Sequence, residues 1–283
     1  MNGQTVEKTA AVISYMEAHL GEKLDLDAVA AAARYSKYHL HRMFTDTVGL
    51  TPHGYLRRRR LTEAARLLAF SETPILEIAL AAGYESQQAF TSVFKAMYKQ
   101  TPLAYRQNGV FYPLQLAFTP DKNPAASDGA GREISYAAPS DIPDWMGLIP
   151  LVIGGFPCLD ERSHREQIGQ SIRRREALIM RDGAAVIGAA AFSQRDGSIG
   201  FLAVHPQYRR CGAARALLNF MTRHPLAGRE VSITTFREGD RADTGQREEY
   251  KRLGFAEAEL LTEFGYPTQR LVLSPKQERR ANG

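Results

Sequence analysis

Apolar residues recur every three or four positions through the first hundred residues, and the rhythm stops at the stretch TPDKNPAASDGAGR, Thr119 to Arg132. Between Thr5 and Arg106 this spacing predicts helix almost throughout, because a period of 3.6 residues places such positions on one helix face. Leu40, Met43, Phe44 and Thr47 form one stripe; Ala89, Phe90, Val93, Phe94 and Met97 form another. The stretch from Thr119 to Arg132 is rich in Pro, Ala, Asp and Gly and reads as a linker. Beyond it, strand-forming runs at Glu176 to Met180, Ala185 to Phe192, Ser198 to Val204, Glu230 to Thr235 and Leu271 to Leu273 mix with helical patterns. Those patterns cover Arg162 to Arg175, Cys211 to Arg223 and Gln246 to Leu253. Two domains are expected: all-α over 1–107 and α/β or α+β over 133–275, with a linker over 108–132 and a tail over 276–283.

The helical half repeats itself. Residues 26–55 recur in register as 76–105, with Leu26/Leu76, Ala31/Ala81, Ala32/Ala82, Ser36/Ser86, Phe44/Phe94, Thr51/Thr101, Pro52/Pro102 and Tyr55/Tyr105 identical. Average residue usage would give about two identities in such a comparison, so the repeat is not chance. Each copy reads as a short helix, a small-residue turn and a second helix, a helix-turn-helix present twice. Leu26 to Ala33 supplies the first supporting helix, and Ser36 caps a helix to about Val48. In the second unit Thr73 and Pro74 open a helix, Gly83 supplies the turn, and Ser86 caps a helix to about Tyr98.

With the apolar stripes inside, Lys37, Tyr38, His41 and Arg42 of one unit and Gln87, Gln88, Thr91, Ser92 and Lys95 of the other are left for a DNA groove. Gln bonds adenine bidentately, and Arg or Lys bonds guanine, so double-stranded DNA is the expected partner. Two such helices about 34 Å apart would meet successive major grooves. The helix from Pro52 to Leu68, capped by Thr51, would space them. Some of its Arg57, Arg58, Arg59, Arg60 and Arg66 are expected on phosphates, although such a run also suits a solvated helix face. His39 and His41, two apart on a helix, point in different directions, so no metal site is expected.

The helix from Ser36 to Phe44, the run RLTEAARLL from Arg60 to Leu68 and the long ordered pattern GYESQQAFTSVFKAMYKQTPLAYR from Gly83 to Arg106 carry a resemblance. Over residues 5–107 the chain resembles the DNA-binding domain of the AraC/XylS family of bacterial transcription regulators. The resemblance implies sequence-specific DNA binding. One departure is Lys99, where the family usually has glycine and where the first copy keeps Gly49. A left-handed turn residue there costs Lys only modestly, so the fold is expected to survive.

In the second half the informative run is FLAVHPQYRRCGAARALLNFM, Phe201 to Met221. A strand ends at Val204 and a helix begins near Gly212, with Arg209, Gly212 and Ala214 spaced as R-x-x-G-x-G/A. Small residues at a helix start let unpaired backbone amides approach a diphosphate, which the helix dipole favours. The short pattern gains weight from the strand before it, the amphipathic helix after it, and Tyr250 to Phe255 beyond. Together these resemble the GNAT superfamily of N-acetyltransferases over residues 133–275. The resemblance implies a splayed mixed sheet and acetyl-CoA as co-substrate. The pantetheine arm would pair with the strand at Ala203 and Val204, and the pyrophosphate would sit on the amides of Arg209, Arg210, Cys211, Gly212, Ala213 and Ala214. Tyr250, four residues before Gly254, takes the place of the family's leaving-group tyrosine, which protonates the coenzyme A thiolate.

Many family members carry a carboxylate on the strand before the phosphate loop, where this chain has Ser198, Ile199, Gly200 and Phe201. Water, Glu263 or Glu259 is left to take the acceptor's proton. Tyr250 also suits a helix residue packed over the sheet, and Arg210 and Arg215 suit either phosphate or solvent. Cys211 has no base near it in sequence, so it is not read as a nucleophile. Trp145, Phe156 and the loop Gly154 to Leu159 flank the acceptor in this family, or belong to a core.

The remaining features set bounds. The 283 residues carry a formal net charge of +5, which permits nucleic acid without requiring it. Cys158 and Cys211 lack metal-ligand or disulfide-framework spacing. The start of the chain, with Glu7 and Glu17, is unlike a signal peptide, so a cytoplasmic location is expected. The apolar stretch Met146 to Leu159 is broken by Pro150, Gly154, Gly155 and Pro157 and is not a membrane span. The function expected is a DNA-binding transcription regulator whose second domain acetylates a small amine. The alternative is a non-catalytic domain that binds acetyl-CoA or another ligand to control DNA binding. A third possibility is an acetyltransferase whose helical domain recruits partners.

Overall fold

Serine and threonine caps cut the first half into helices. Ser36, Thr51, Ser86 and Thr101 each accept the amide three residues ahead, satisfying a donor that a helix start leaves unpaired. The resulting elements are α1 (Gly3–Ala18), α2 (Leu26–Ala32), α3 (Lys37–Val48), α4 (Pro52–Phe70), α5 (Ile75–Ala81), α6 (Gln87–Tyr98) and α7 (Pro102–Asn108). The computed structural model describes residues 3–22, 24, 26–33, 35–120, 131–152, 161–263 and 265–275. The loop Gly154 to Leu159, with Phe156 and Cys158, the linker over 121–130 and the tail over 276–283 lie outside the described residues.

Helix α4 belongs to both repeats. Its Tyr55 joins Val12, Met16, Leu40 and Phe44 in one buried cluster, while Leu61, Ala65 and Leu68 join Ile78, Phe90, Phe94 and Tyr105 in another. A single rigid helix thus fixes the spacing of the two units. Residues 109–120 contain neither helix nor strand, yet they are not free of the helical domain. Tyr112 and Leu114 are buried in the second cluster and Phe118 in the first, and the Thr62 hydroxyl accepts the amides of Leu114 and Gln115 at 3.0 and 3.1 Å. Part of the expected linker is therefore a strap across α4. Its buried residues, Tyr112, Leu114 and Phe118, lie in a non-helical segment that serves two cores, so they leave no helical period.

The second half folds as a seven-stranded sheet in the order β1-β2-β3-β4-β5-β7-β6. The strands are β1 (Arg132–Tyr136), β2 (Ala177–Asp182), β3 (Ala185–Phe192), β4 (Ser198–Val204), β5 (Val231–Phe236), β6 (Ala256–Glu263) and β7 (Tyr266–Leu273). All neighbours are antiparallel except β4 and β5. Helices α8 (Ile142–Val152) and α9 (Glu161–Arg173) cover one face, where Trp145, Leu148 and Ile168 meet Ile179, Ala189 and Ala203. Helices α10 (Ala213–Arg223) and α11 (Gln246–Leu253) cover the other, with Leu217, Met221 and Tyr250 over Ile187, Val204 and Ile233. The pattern along the chain signals neither β1, β6 nor α8. Strand β6 is a largely exposed edge with little apolar alternation, and α8 carries Pro150 within it.

The two domains dock on each other. Arg58 of α4, 3% exposed, donates to the carbonyls of Ala242 and Asp243 at 2.7 and 3.4 Å. Burial, with Arg57 beside it, pulls this guanidinium down to about 10, and Asp243 opposes the shift. Lys99, at the left-handed end of α6, donates to Asp240 at 2.7 Å. Helix α3 packs against the short 3-10 turn Pro206–Cys211, and Phe118 meets His205 at 6.2 Å between ring centroids.

Candidate functional site

The two repeat units present matching outer faces. On α3, Leu40, Met43, Phe44, Thr47 and Val48 are buried, which turns Lys37, Tyr38, His41 and Arg42 outward; Tyr38 is 77% exposed. Lys37 forms an ion pair with Asp27 of α2. On α6, Phe90, Phe94, Met97 and Tyr98 are buried, Gln87, Gln88, Ser92 and Lys95 are exposed, and Thr91 is half-buried. Ala89, expected in the core stripe, is exposed: it lies in the first turn, where only its amide is engaged, by Ser86. Both surfaces are therefore rich in hydrogen-bonding side chains on well-capped helices, as groove reading requires.

The arginine run of α4 faces inward instead. Arg58 is committed to the second domain. Arg59 is bidentate to Glu17 at 2.8 Å for each contact and reaches Glu63 at 3.1 Å, while Arg60 donates to the carbonyls of Leu20 and Glu22. Arg59 and Arg60 hold α1 and the following loop against α4, so the phosphate contacts expected of the run come from none of these three arginines in this arrangement. Arg66 is outward and paired with Glu63 at 2.9 Å. A run of four charges occupies every side of a helix, and sequence alone does not say which sides are covered.

The second site is built where the sheet opens. Strands β4 and β5 pair only at Ser198/Ser232 and Ile199/Ile233, while β4 continues to Val204 and β5 to Phe236. On its other edge β4 stays paired with β3 as far as Val204. The backbone from Gly200 to Val204 therefore has one edge not paired to β5, where an extended amide-bearing chain could add as a strand. Ala203 and Val204 are buried at the end of this edge. The 3-10 turn carrying Arg209, Arg210 and Cys211 follows, then Gly212 at φ 78, then α10, whose first residues Ala213 and Ala214 are buried. No side chain caps α10, and a Cβ built on Gly212 would meet nothing within 4 Å. An uncapped helix start with open space before it suits an anion.

Two of the loop's own groups are committed elsewhere. The Cys211 thiol donates to the Tyr208 carbonyl at 2.7 Å, and the Cys211 carbonyl accepts from Arg132 at 2.9 Å. Arg209 packs on Gly49, the left-handed residue closing α3, where even an added Cβ would lie 2.6 Å from the guanidinium. Burial pulls Arg209 below its usual value, against the attraction of Glu249 and Tyr250. The Arg210 side chain lies outside the described groups.

Tyr250 of α11 is buried in the core beneath the opening, with Val204, Tyr208 and Ala213 in the same cluster. Its hydroxyl accepts from Gln246 Nε2 at 2.7 Å, which leaves the phenolic proton free for another partner. Burial pushes the phenol well above its usual value, so it stays protonated. Glu259 and Glu263 do not approach this region through the sheet: both lie on edge strand β6, separated from β4 by β7 and β5, and Glu259 is paired with Arg270 at 3.2 Å.

On the α8 and α9 face, just past the last β4/β5 pair, Phe201 stacks on Trp145 at 5.4 Å and meets His164 edge-on at 5.9 Å. Nothing along the chain singles out His164. A single histidine in a polar helical stretch carries no signal of its own; only the packing of α9 against the sheet brings it to Phe201.

Comparison with known proteins finds a match in each half of the chain. A family model described as a helix-turn-helix domain matches residues 29–108, and one described as an acetyltransferase (GNAT) domain matches residues 173–257. The transcriptional regulator Rob of Salmonella typhimurium is 44% identical over 111 residues, covering 37% of this chain and 38% of that relative, so this chain spans well under half of Rob's length. The regulatory protein SoxS of Escherichia coli is 41% identical over 95 residues, covering 34% of this chain and 89% of SoxS. Among solved structures, a GNAT-family acetyltransferase from Bacillus cereus is 17% identical and aligns with 51% of this chain and 97% of its own, at a TM-score of 0.42. No helix among the described residues is long and apolar enough to cross a membrane.

Proposed function

Because the chain belongs to the AraC-type helix-turn-helix regulators through its first half and to the GNAT acetyltransferases through its second, we propose that it binds a specific double-stranded DNA site and transfers an acetyl group from acetyl-CoA to a small amine. The DNA contacts fall to Lys37, Tyr38, His41 and Arg42 of α3 and to Gln87, Gln88, Thr91, Ser92 and Lys95 of α6. The observation that carries the second half is the parting of β4 from β5 after Ile199/Ile233, directly before an uncapped helix that begins at an open Gly212. The free edge ending at Ala203 and Val204 would hold the pantetheine arm. The amides from Arg209 to Ala214 would hold the diphosphate. Acetyl-CoA supplies the activated thioester. Tyr250, kept protonated by burial and oriented by Gln246, supplies the proton that the departing sulfur requires. The work proposed places the protein in the cytoplasm, where DNA and acetyl-CoA meet.

Calorimetry of the full chain with acetyl-CoA, followed by coenzyme A release across a panel of small amines, tests this reading. Saturable binding with release on at least one amine supports it. Absence of binding overturns it.

A second reading is favoured by one contact, that of Arg209 on Gly49 at the end of α3. A loop that holds a diphosphate and also braces a DNA-reading helix is placed to couple the two ligands. On this reading the second domain senses acetyl-CoA without turning it over. The coupling must be reciprocal, with DNA changing acetyl-CoA affinity by the factor that acetyl-CoA changes DNA affinity.

A further inference from the structure

The acetyl-transfer reading leaves open which group takes the acceptor's proton and what kind of amine is taken. Building on that reading, we infer that His164 removes the proton from the acceptor's ammonium group, within an aromatic box of Trp145, Phe201 and His164 that selects small primary amines with a flat apolar body.

Three observations carry this. First, the box stands at the opening of the sheet: Phe201 is the second residue of β4 after pairing with β5 ends, and its ring contacts both Trp145 and His164. Second, among the described residues two buried nitrogens of this cluster, Trp145 Nε1 and His164 Nε2, have no hydrogen-bond partner, and Trp145 is only 1% exposed. Buried polar atoms are nearly always satisfied, and two exceptions in one cluster point to a ligand that completes them. An indole N–H can only donate, whereas a neutral imidazole nitrogen can accept, so an amine N–H suits His164 and an oxygen of either substrate suits Trp145. Third, ring faces favour flat or cationic groups over branched aliphatic ones.

The electrical surroundings suit a base. Burial holds the imidazole below its usual value, which keeps it neutral near pH 7. The nearby carboxylates of Asp141 and Asp144 are each held by Arg181 at 2.8 Å. Glu161, Arg165 and Glu166 of α9 are exposed, and β3 and β4 contribute no charged residue. In the step itself His164 Nε2 takes one proton from R–NH3+, leaving R–NH2. The C–N bond forms at the acetyl carbonyl as the C–S bond breaks, and the sulfur takes the proton of Tyr250. The proton shed by the new amide restores Tyr250, and His164 passes its own to water, so one proton is released per acetyl group transferred.

Trp145 is the single tryptophan of the chain, so its emission reports on this box in the full-length protein. With acetyl-CoA present, 2-phenylethylamine should change Trp145 emission saturably. The emission should also titrate with a midpoint below the usual imidazole value, and that titration should vanish in His164→Gln. In the release assay His164→Gln should lower kcat by about 10² with little change in KM for acetyl-CoA, and should remove the acid limb of the pH profile. Added imidazole should restore part of the rate of His164→Ala. Wild-type rate and pH profile in His164→Gln would overturn the proton role while leaving acetyl transfer standing. No saturable emission change, in protein that binds acetyl-CoA, would overturn the box. A saturable change without release from any amine would overturn transfer and the proton role together.

Discussion

Lys99 and Asp240 meet 2.7 Å apart across the boundary between the helical and sheet domains. Lys99 closes α6 at φ 60, a left-handed position in which the equivalent residue of the first repeat is Gly49. Its ammonium also donates to the Ala96 carbonyl at 2.8 Å and lies 5.6 Å from the centre of the Tyr266 ring. The Asp240 side chain is 3% exposed and accepts further from the Ala242 amide and the Tyr266 hydroxyl at 2.8 and 3.0 Å. The residue that departs from the family pattern thus joins Arg58 in tying the helical half to the second domain.

Lys99→Gly should destabilise the chain by about 1–4 kcal/mol. Removing one partner of a buried pair costs about 3–5 kcal/mol, and relief of left-handed strain returns about 1–2 kcal/mol. Urea unfolding of Lys99→Gly, Asp240→Asn and the double variant gives the coupling directly. A stabilised single glycine variant would show that the pair contributes less than the strain.

Gln88→Ala and Arg42→Ala should relax base preference at two separate half-sites, because they stand on α6 and α3 respectively. Each should lose about 1–3 kcal/mol, confined to particular bases. Footprinting that finds protection in only one major groove would contradict paired reading.

Gly212→Glu should abolish acetyl-CoA binding by setting a carboxylate where the diphosphate approaches, and should also strain a φ of 78. DNA affinity of the same full-length variant should persist, since α3 and α6 keep their own cores. Calorimetry and a mobility-shift titration on one preparation check both halves; unchanged acetyl-CoA affinity would remove the loop from the site.

Tyr250→Phe should lower turnover by about 10² or more with little change in acetyl-CoA affinity, since the hydroxyl matters chiefly as sulfur departs. Burial raises the phenol, so its proton is retained across neutral and moderately alkaline pH. The wild-type rate should therefore show no alkaline loss at the usual tyrosine value. Such a loss, present in the wild type and absent in the phenylalanine variant, would mean that the phenol is less shielded than its burial implies.

The local elements and the resemblance to two families were legible along the chain. Capping residues, three-and-four spacing and a thirty-residue repeat are local signals, so α3, α4 and α6 were legible to within a residue or two, as were β3, β4 and α11. Tertiary structure decided what each side chain faces. Arg58, Arg59 and Arg60 read as a charged surface, yet they turn inward because α1 and the second domain cover their sides of α4. Residues 109–120 read as linker, yet Tyr112, Leu114 and Phe118 fill gaps in cores made elsewhere. His164 meets Phe201 and Lys99 meets Asp240 across 37 and 141 residues of chain. Pairings at that range depend on how sheet and helices pack, and no periodicity along the chain encodes them.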